Sequence, residues 1–172
     1  MADPTGGLRA LVDQMQQASD AGLYFAALTV ALTLPDICGA CASQNGQASG
    51  SKYRAWLEQN ADTFGPRDAQ TLYEFRCSLL HQGSAQHRSG TRFAFIEPAP
   101  GAPQLHNMST DVAGEIVTWI SVPRFVEEMA TGVTRWLDAH GHTTLVQRNL
   151  ERFVRRRPEG LPPHVRGAPV VS

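Results

Sequence analysis

Lysine is almost missing from this 172-residue chain: Lys52 is the only one, so arginine carries nearly all of the positive charge. With a formal net charge of -1, the molecule as a whole draws neither nucleic acid nor an anionic membrane, and any such attraction has to come from a local patch. Cysteine is scarce too. Cys38, Cys41 and Cys77 are an odd number and too few to staple a small secreted domain, so reduced thiols are expected. The longest apolar stretch, Ala21 to Leu34, falls short of the roughly 20 residues a membrane-spanning helix needs and reads as a core helix. A signal peptide would set basic residues before it, whereas Asp3, Asp13 and Asp20 accompany a single Arg9. The expected setting is cytoplasmic with no membrane partner, and the glycosylation-like triplet Asn107, Met108, Ser109 then carries no information.

What is present is a globular composition, 42% hydrophobic and 18% charged, in a chain the size of one domain. Leu8, Leu11, Val12 and Met15 recur at helical spacing, and Gly22 separates this first helix from a second over about 23–42. From Leu23 to Leu34 the second is apolar nearly all round and should be enclosed on every side. Pro35 is expected to kink or restart it, leaving Asp36 just beyond the break. The Ser-, Gly-, Gln- and Asn-rich stretch 43–51 reads as an exposed loop, followed by a third helix over about 51–60 with Tyr53, Trp56 and Leu57 inward. Gly65 and Pro66 close the next connection, and a fourth helix runs from Pro66 to a glycine cap at Gly83.

Beyond Gly83 the texture changes. Phe93 and Phe95 alternate within Thr91 to Ile96, a turn-rich stretch runs from Pro98 to Pro103, and the pattern predicts a small hairpin over Thr91 to Met108 with a further strand at 116–122. Phe125, Val126, Met129, Val133, Trp136 and Leu137 restore helical spacing, and a last helix is expected over about 143–156. The fold class is mainly α: a helical domain over 1–157, of five to six helices, with a β insertion at about 91–121. Residues 158–172, rich in Pro, Gly and small side chains, are expected to form a loose tail.

Arg76 and His81 stand five apart near the end of the fourth helix, about 140° apart around its axis, so they do not share a face. The long arginine can still reach across the helix edge. On spacing alone a structural reading stands beside the chemical one, with His81 favoured by the helix dipole and the Arg76 stem covering apolar surface. Asp36, an acid in an apolar helix, calls for a cationic partner such as Arg76 or His81, or else caps the helix restarted after Pro35. Cys38 and Cys41 form CxxC, and Cys77 with His81 forms CxxxH, which together imitate a Cys3His zinc site; small buried hydrophobes in core helices are the competing reading. A thioredoxin-like motif is disfavoured because no strand precedes the CxxC. Arg148, Arg152, Arg155, Arg156, Arg157 and Arg166, opposed only by Glu151 and Glu159, form the local basic patch, with Arg152, Arg155, Arg156 and Arg157 read as RNA-binding or as a solvated helix end, and His140 and His142 read as a solvated loop.

The segment FRCSLLHQG, Phe75 to Gly83, in the fourth helix of an apolar bundle, resembles the RxxxxH motif of the HEPN superfamily (higher eukaryote and prokaryote nucleotide-binding domains). With LTLPDICG it also looks like a group of bacterial proteins whose membership supplies no substrate. The resemblance covers about 8–85 and 122–157 and implies a helical bundle that pairs into a homodimer with the motif facing a shared cleft. Many members are metal-independent endoribonucleases of toxin, defence or RNA-processing systems, so RNA is the implied ligand, an antitoxin or other protein the implied partner, and no cofactor is needed. Arg76 and His81 match the motif residues and nothing else carries over from the family; Asp36, from its place in the apolar helix, and Ser78, two residues past Arg76, stand beside them as supporting candidates. Cys77 stands where many family nucleases carry Asn, Asp or His, and a non-catalytic dimerisation or interaction module of the same fold is the alternative. The chemistry is coherent: an imidazole, with an ordinary pKa near 6.5, takes the proton of a ribose 2′-hydroxyl while a guanidinium offers paired donors to the phosphate, giving a 2′,3′-cyclic phosphate.

Overall fold

The computed structural model describes residues 3–61, 66–85, 92–101 and 105–172, and its architecture is mainly helical, with six α-helices and short strands. Gly65, Thr91 and Pro103, which bound expected turns and the expected hairpin, lie outside the described residues. The helices are α1 (Gly6–Asp20), α2 (Tyr24–Cys41), α3 (Gly50–Asn60) and α4 (Pro66–Gln82), then α5 (Val122–His140) and α6 (Thr144–Leu150). Between α4 and α5 lie β1 (Arg92–Ile96), β2 (Met108–Val112) and β3 (Glu115–Ser121).

The apolar helix α2 is the hub: α1, α3, α4, α5 and α6 all pack against it. By length and mean hydropathy, 1.5, it meets the composition of a membrane-crossing helix, and half of it is covered by the other elements. It is not enclosed on every side, because Leu23 at its N-cap and Phe25 in its first turn are 60% and 70% exposed. Nor does Pro35 break it. The helix runs unbroken through a buried Pro35, so packing on several sides outweighs the roughly 3 kcal/mol penalty of an interior proline.

Elsewhere in the bundle, α5 lies so close to the end of α3 that a side chain at Gly132 would put its Cβ 2.6 Å from the Asn60 carbonyl oxygen and 3.1 Å from the Trp56 ring. That neighbour is backbone and cannot swing away. Gly132→Ala is therefore expected to lower stability by about 1–3 kcal/mol through overpacking, despite the better helix propensity of alanine. A urea melt that matches the wild-type midpoint would show that α5 and α3 can separate at no cost.

The sheet differs from the expected hairpin. β2 and β3 form the hairpin, closed by Ala113 (φ 56°) and Gly114 (φ 84°), and β1 adds to β3 in parallel, giving the order β1-β3-β2. The reason is aromatic packing: Phe93 and Phe95 of β1 stack with Phe75 of α4 at 5.3 and 5.0 Å between ring centroids, and Phe95 meets Phe125 of α5 at 6.0 Å. This cluster holds β1 against the helices, leaving the other edge of β3 to β2.

The last helix is shorter than expected. Asn149 donates to the carbonyls of Cys41 and Ser43, both at 2.9 Å, tying the end of α6 to the end of α2, after which the chain turns and Phe153 seats near Gly7. The C-terminal segment, expected to be loose, doubles back in two antiparallel pairs, β4 (Arg156–Arg157) with β7 (Val170–Val171) and β5 (Gly160–Leu161) with β6 (Val165–Arg166). Backbone bonds between Arg155 and Ser172, at 3.0 and 3.1 Å, continue the first pair. Composition pointed away from this because backbone pairing, not apolar burial, organises the segment.

Candidate functional site

Three side chains from two helices meet at one point. Arg76, on α4 beside the buried Phe75, sends one guanidinium nitrogen, Nη2, to within 2.5 Å of Asp36 Oδ2 on α2, and the other, Nη1, lies 3.3 Å from His81 Nε2. The arginine thus spans the gap that helical spacing leaves between positions 76 and 81. The Asp36 and Arg76 side chains are only 11% and 19% exposed, whereas His81 is exposed in the last turn of α4. Gly83 (φ 64°) ends the helix with its N–H on the Leu79 carbonyl at 2.9 Å, which leaves the imidazole at an open corner.

The electrostatics follow from depth. Burial pushes the Asp36 carboxyl above its ordinary range, and the charge and hydrogen bond of Arg76, then the charge of His81, pull it back. Burial prevails because the carboxylate has lost most of its water and faces a single guanidinium edge. Asp36 lies in mid-helix, so the capping role is removed and the ion pair with Arg76 stands. Because the Nη1 N–H donates, the facing Nε2 of a neutral His81 is an acceptor with the ring proton on Nδ1.

Beneath the pair lies a feature that the motif did not point to. The fully buried Tyr53 ring packs 5.4 Å from Tyr73, and its hydroxyl pKa is raised, first by burial and then by the Asp36 charge. Tyr53 was legible as a core residue of α3, but its neighbours across the bundle were not. Ser78, two residues beyond Arg76, is buried and about 200° around the helix from it, so it faces the core rather than the open corner.

The cysteines do not assemble as a Cys3His set: among the described residues no three of His, Cys, Asp or Glu gather where they could hold a metal ion. Cys38 and Cys41 are buried free thiols, Cys38 held well above its ordinary pKa and Cys41 pushed up to about 11 by burial, so both are neutral core groups. The Cys77 Sγ is 3.9 Å from Arg76 Nη1, beside the ion pair.

The arginine patch is displaced from the motif. Arg155 and Arg156 line a depression with Gly7, Ala10 and Leu11 of α1, and Arg157 Nε donates to Ser172 Oγ at 2.8 Å. These residues follow the end of α6 rather than forming its last turns, and Arg152 and Arg156 are exposed. A contact that the sequence did not point to brings His106 Nε2 within 3.5 Å of Glu128 Oε2, and both residues line an open pocket of about 340 Å³. Compared with known proteins, the chain matches no family model, no curated protein and no solved structure.

Proposed function

We propose that this protein is a HEPN-like, metal-independent endoribonuclease acting on single-stranded RNA in a cytoplasmic toxin- or defence-type system, with Arg76 and His81 as its catalytic residues. The observation that carries the reading is the shared corner: an exposed imidazole 3.3 Å from a guanidinium whose other nitrogen is held by a buried carboxylate. An arginine needed only to cover apolar surface requires no such anchoring. Fixed at one end, the guanidinium keeps donors for a phosphate, and a phosphate that accepts them releases the His81 Nε2 lone pair. His81 then takes the 2′-hydroxyl proton, the 2′-oxygen attacks phosphorus, the bond to the 5′-oxygen breaks, and that oxygen takes a proton from solvent. The products are a 2′,3′-cyclic phosphate and a 5′-hydroxyl end.

Purified protein incubated with single-stranded RNA in EDTA is expected to yield those two ends. Absence of cleavage across varied RNAs would favour the second reading, a non-catalytic interaction module, which the exposure of Leu23 and Phe25 supports by leaving apolar side chains open to a partner such as an antitoxin.

The exposed arginines beyond α6 have a separate expected effect. Arg152→Ala and Arg156→Ala should each weaken RNA binding about equally for all sequences and reduce the slope of log affinity against log salt by roughly 0.7, the single-strand value per phosphate contact. Binding titrations between 50 and 200 mM salt, roughly the range over which such contacts are screened, read this directly. An unchanged slope in both variants removes the patch from the RNA path.

A further inference from the structure

Among the described residues the three-stranded sheet ends in a bare strand: β2 pairs with β3 alone, all five of its residues are exposed, and it contains no proline, lysine or break in register that would block a further strand. We propose that β2 pairs with β2 of a second copy of this chain, antiparallel about a twofold axis at Thr110, so that two three-stranded sheets join into one of six.

The hydrogen-bond pattern selects this register. The two-residue turn at Ala113 and Gly114 closes Val112 on Glu115, so Met108, Thr110 and Val112 exchange their backbone bonds with β3. Ser109 and Asp111 are left with N–H and C=O directed to the free edge. When Thr110 faces Thr110 of the second copy, Ser109 faces the other copy's Asp111, and both residues of each pair present outward groups. A slip of one residue sets outward groups against inward ones. A slip of two in one direction places the two Asp111 carboxylates opposite each other, and in the other direction it separates Met108 from Val112.

The side chains agree with the backbone. Met108 and Val112 are 50% and 71% exposed and stand on the same face as Thr110, Val117 and Trp119, with the Trp119 indole N–H donating to Thr110 Oγ1 at 2.8 Å. In the twofold register Met108 faces the other copy's Val112 in a non-hydrogen-bonded pair, the closer of the two cross-strand spacings. The strand's single charge, Asp111, meets a hydroxyl. Sequence symmetry about Thr110 (apolar, polar, Thr, polar, apolar) thus makes this edge complementary to itself, as a twofold interface requires. This interface lies on the sheet and does not depend on the nuclease reading.

Residue 110 meets its own copy on the axis, and the test uses that. Wild type is expected to sediment at twice the 18.7 kDa chain mass at tens of micromolar. Thr110→Lys and Thr110→Glu, each placing like charges opposite, should raise the dimer dissociation constant by about tenfold or more. An equimolar mixture of the two should recover the dimer. Oxidised Thr110→Cys should cross-link to itself, whereas Ser109→Cys should cross-link only when mixed with Asp111→Cys. A wild type monomeric at several hundred micromolar overturns the proposal, as do charge variants that dimerise like wild type. So does a mixture that stays monomeric with unchanged circular dichroism. If the charge variants lose their fold, the cysteine pattern decides: cross-linking in any other register overturns the pairing.

Discussion

His81→Ala is expected to slow RNA cleavage by about 100-fold or more, and Arg76→Ala by a similar factor, with helical circular dichroism unchanged for His81→Ala. The two losses have different causes. His81 is exposed at the end of α4, so its removal takes away the proton acceptor and little packing. Arg76 supplies the charge that faces the phosphate in the transition state, and in the resting protein its Nη1 faces the His81 ring at 3.3 Å. Removing both residues should therefore cost far less than the product of the single losses, because each acts through the other. EDTA should leave the rate unchanged. The measurement is single-turnover cleavage with identification of the new ends. Variants as active as wild type would sink the assignment and point to a contaminating nuclease.

The geometry of this corner was partly legible in the sequence. Spacing put Arg76 and His81 on different faces of α4, and an acid in an apolar helix signalled a cationic partner, so the elements of the Asp36–Arg76–His81 chain were recognisable before their contacts were. Which cation Asp36 would choose was not. That choice depends on how α2 packs against α4, a long-range relation that local periodicity does not encode. Pro35 misled for the same reason: its local preference is real, but the helices around α2 override it. In the sheet, alternation marked the strands and could not assign their partners. The parallel seating of β1 on β3 follows from Phe93 and Phe95 meeting Phe75, a contact between residues far apart in the fold's construction. Beyond Leu150, the basic run looked helical by continuity, yet Asn149 is drawn to the carbonyls of Cys41 and Ser43 and the chain turns away.

Asp36→Ala is expected to cost about 3 kcal/mol of stability, more than any surface change, because it leaves the Arg76 guanidinium in a site that is mostly shielded from water with no counter-charge. The same substitution should reduce cleavage by freeing the guanidinium from its fixed position, which makes Asp36 a positioning residue rather than one that touches substrate. Replacing both partners, Asp36→Leu with Arg76→Leu, should restore most of the lost stability but none of the activity, since an apolar pair fills the space without a buried charge. Arg76→Leu alone separates the terms further. Arginine cannot shed its charge, but Asp36 can take a proton, and burial already raises its pKa above the unfolded value. A raised carboxyl contributes most to stability below the unfolded value of 3.8 and loses that contribution as pH rises towards the folded one. Without the guanidinium the folded value rises further, so Arg76→Leu should lose stability more steeply than wild type as pH climbs from 3.8. Urea melts of the four proteins across that range measure both effects. If Asp36→Ala melts within about 0.5 kcal/mol of wild type, the size of an ordinary surface change, the ion pair is not what holds Arg76 beside His81, and the anchored-arginine account of the site fails.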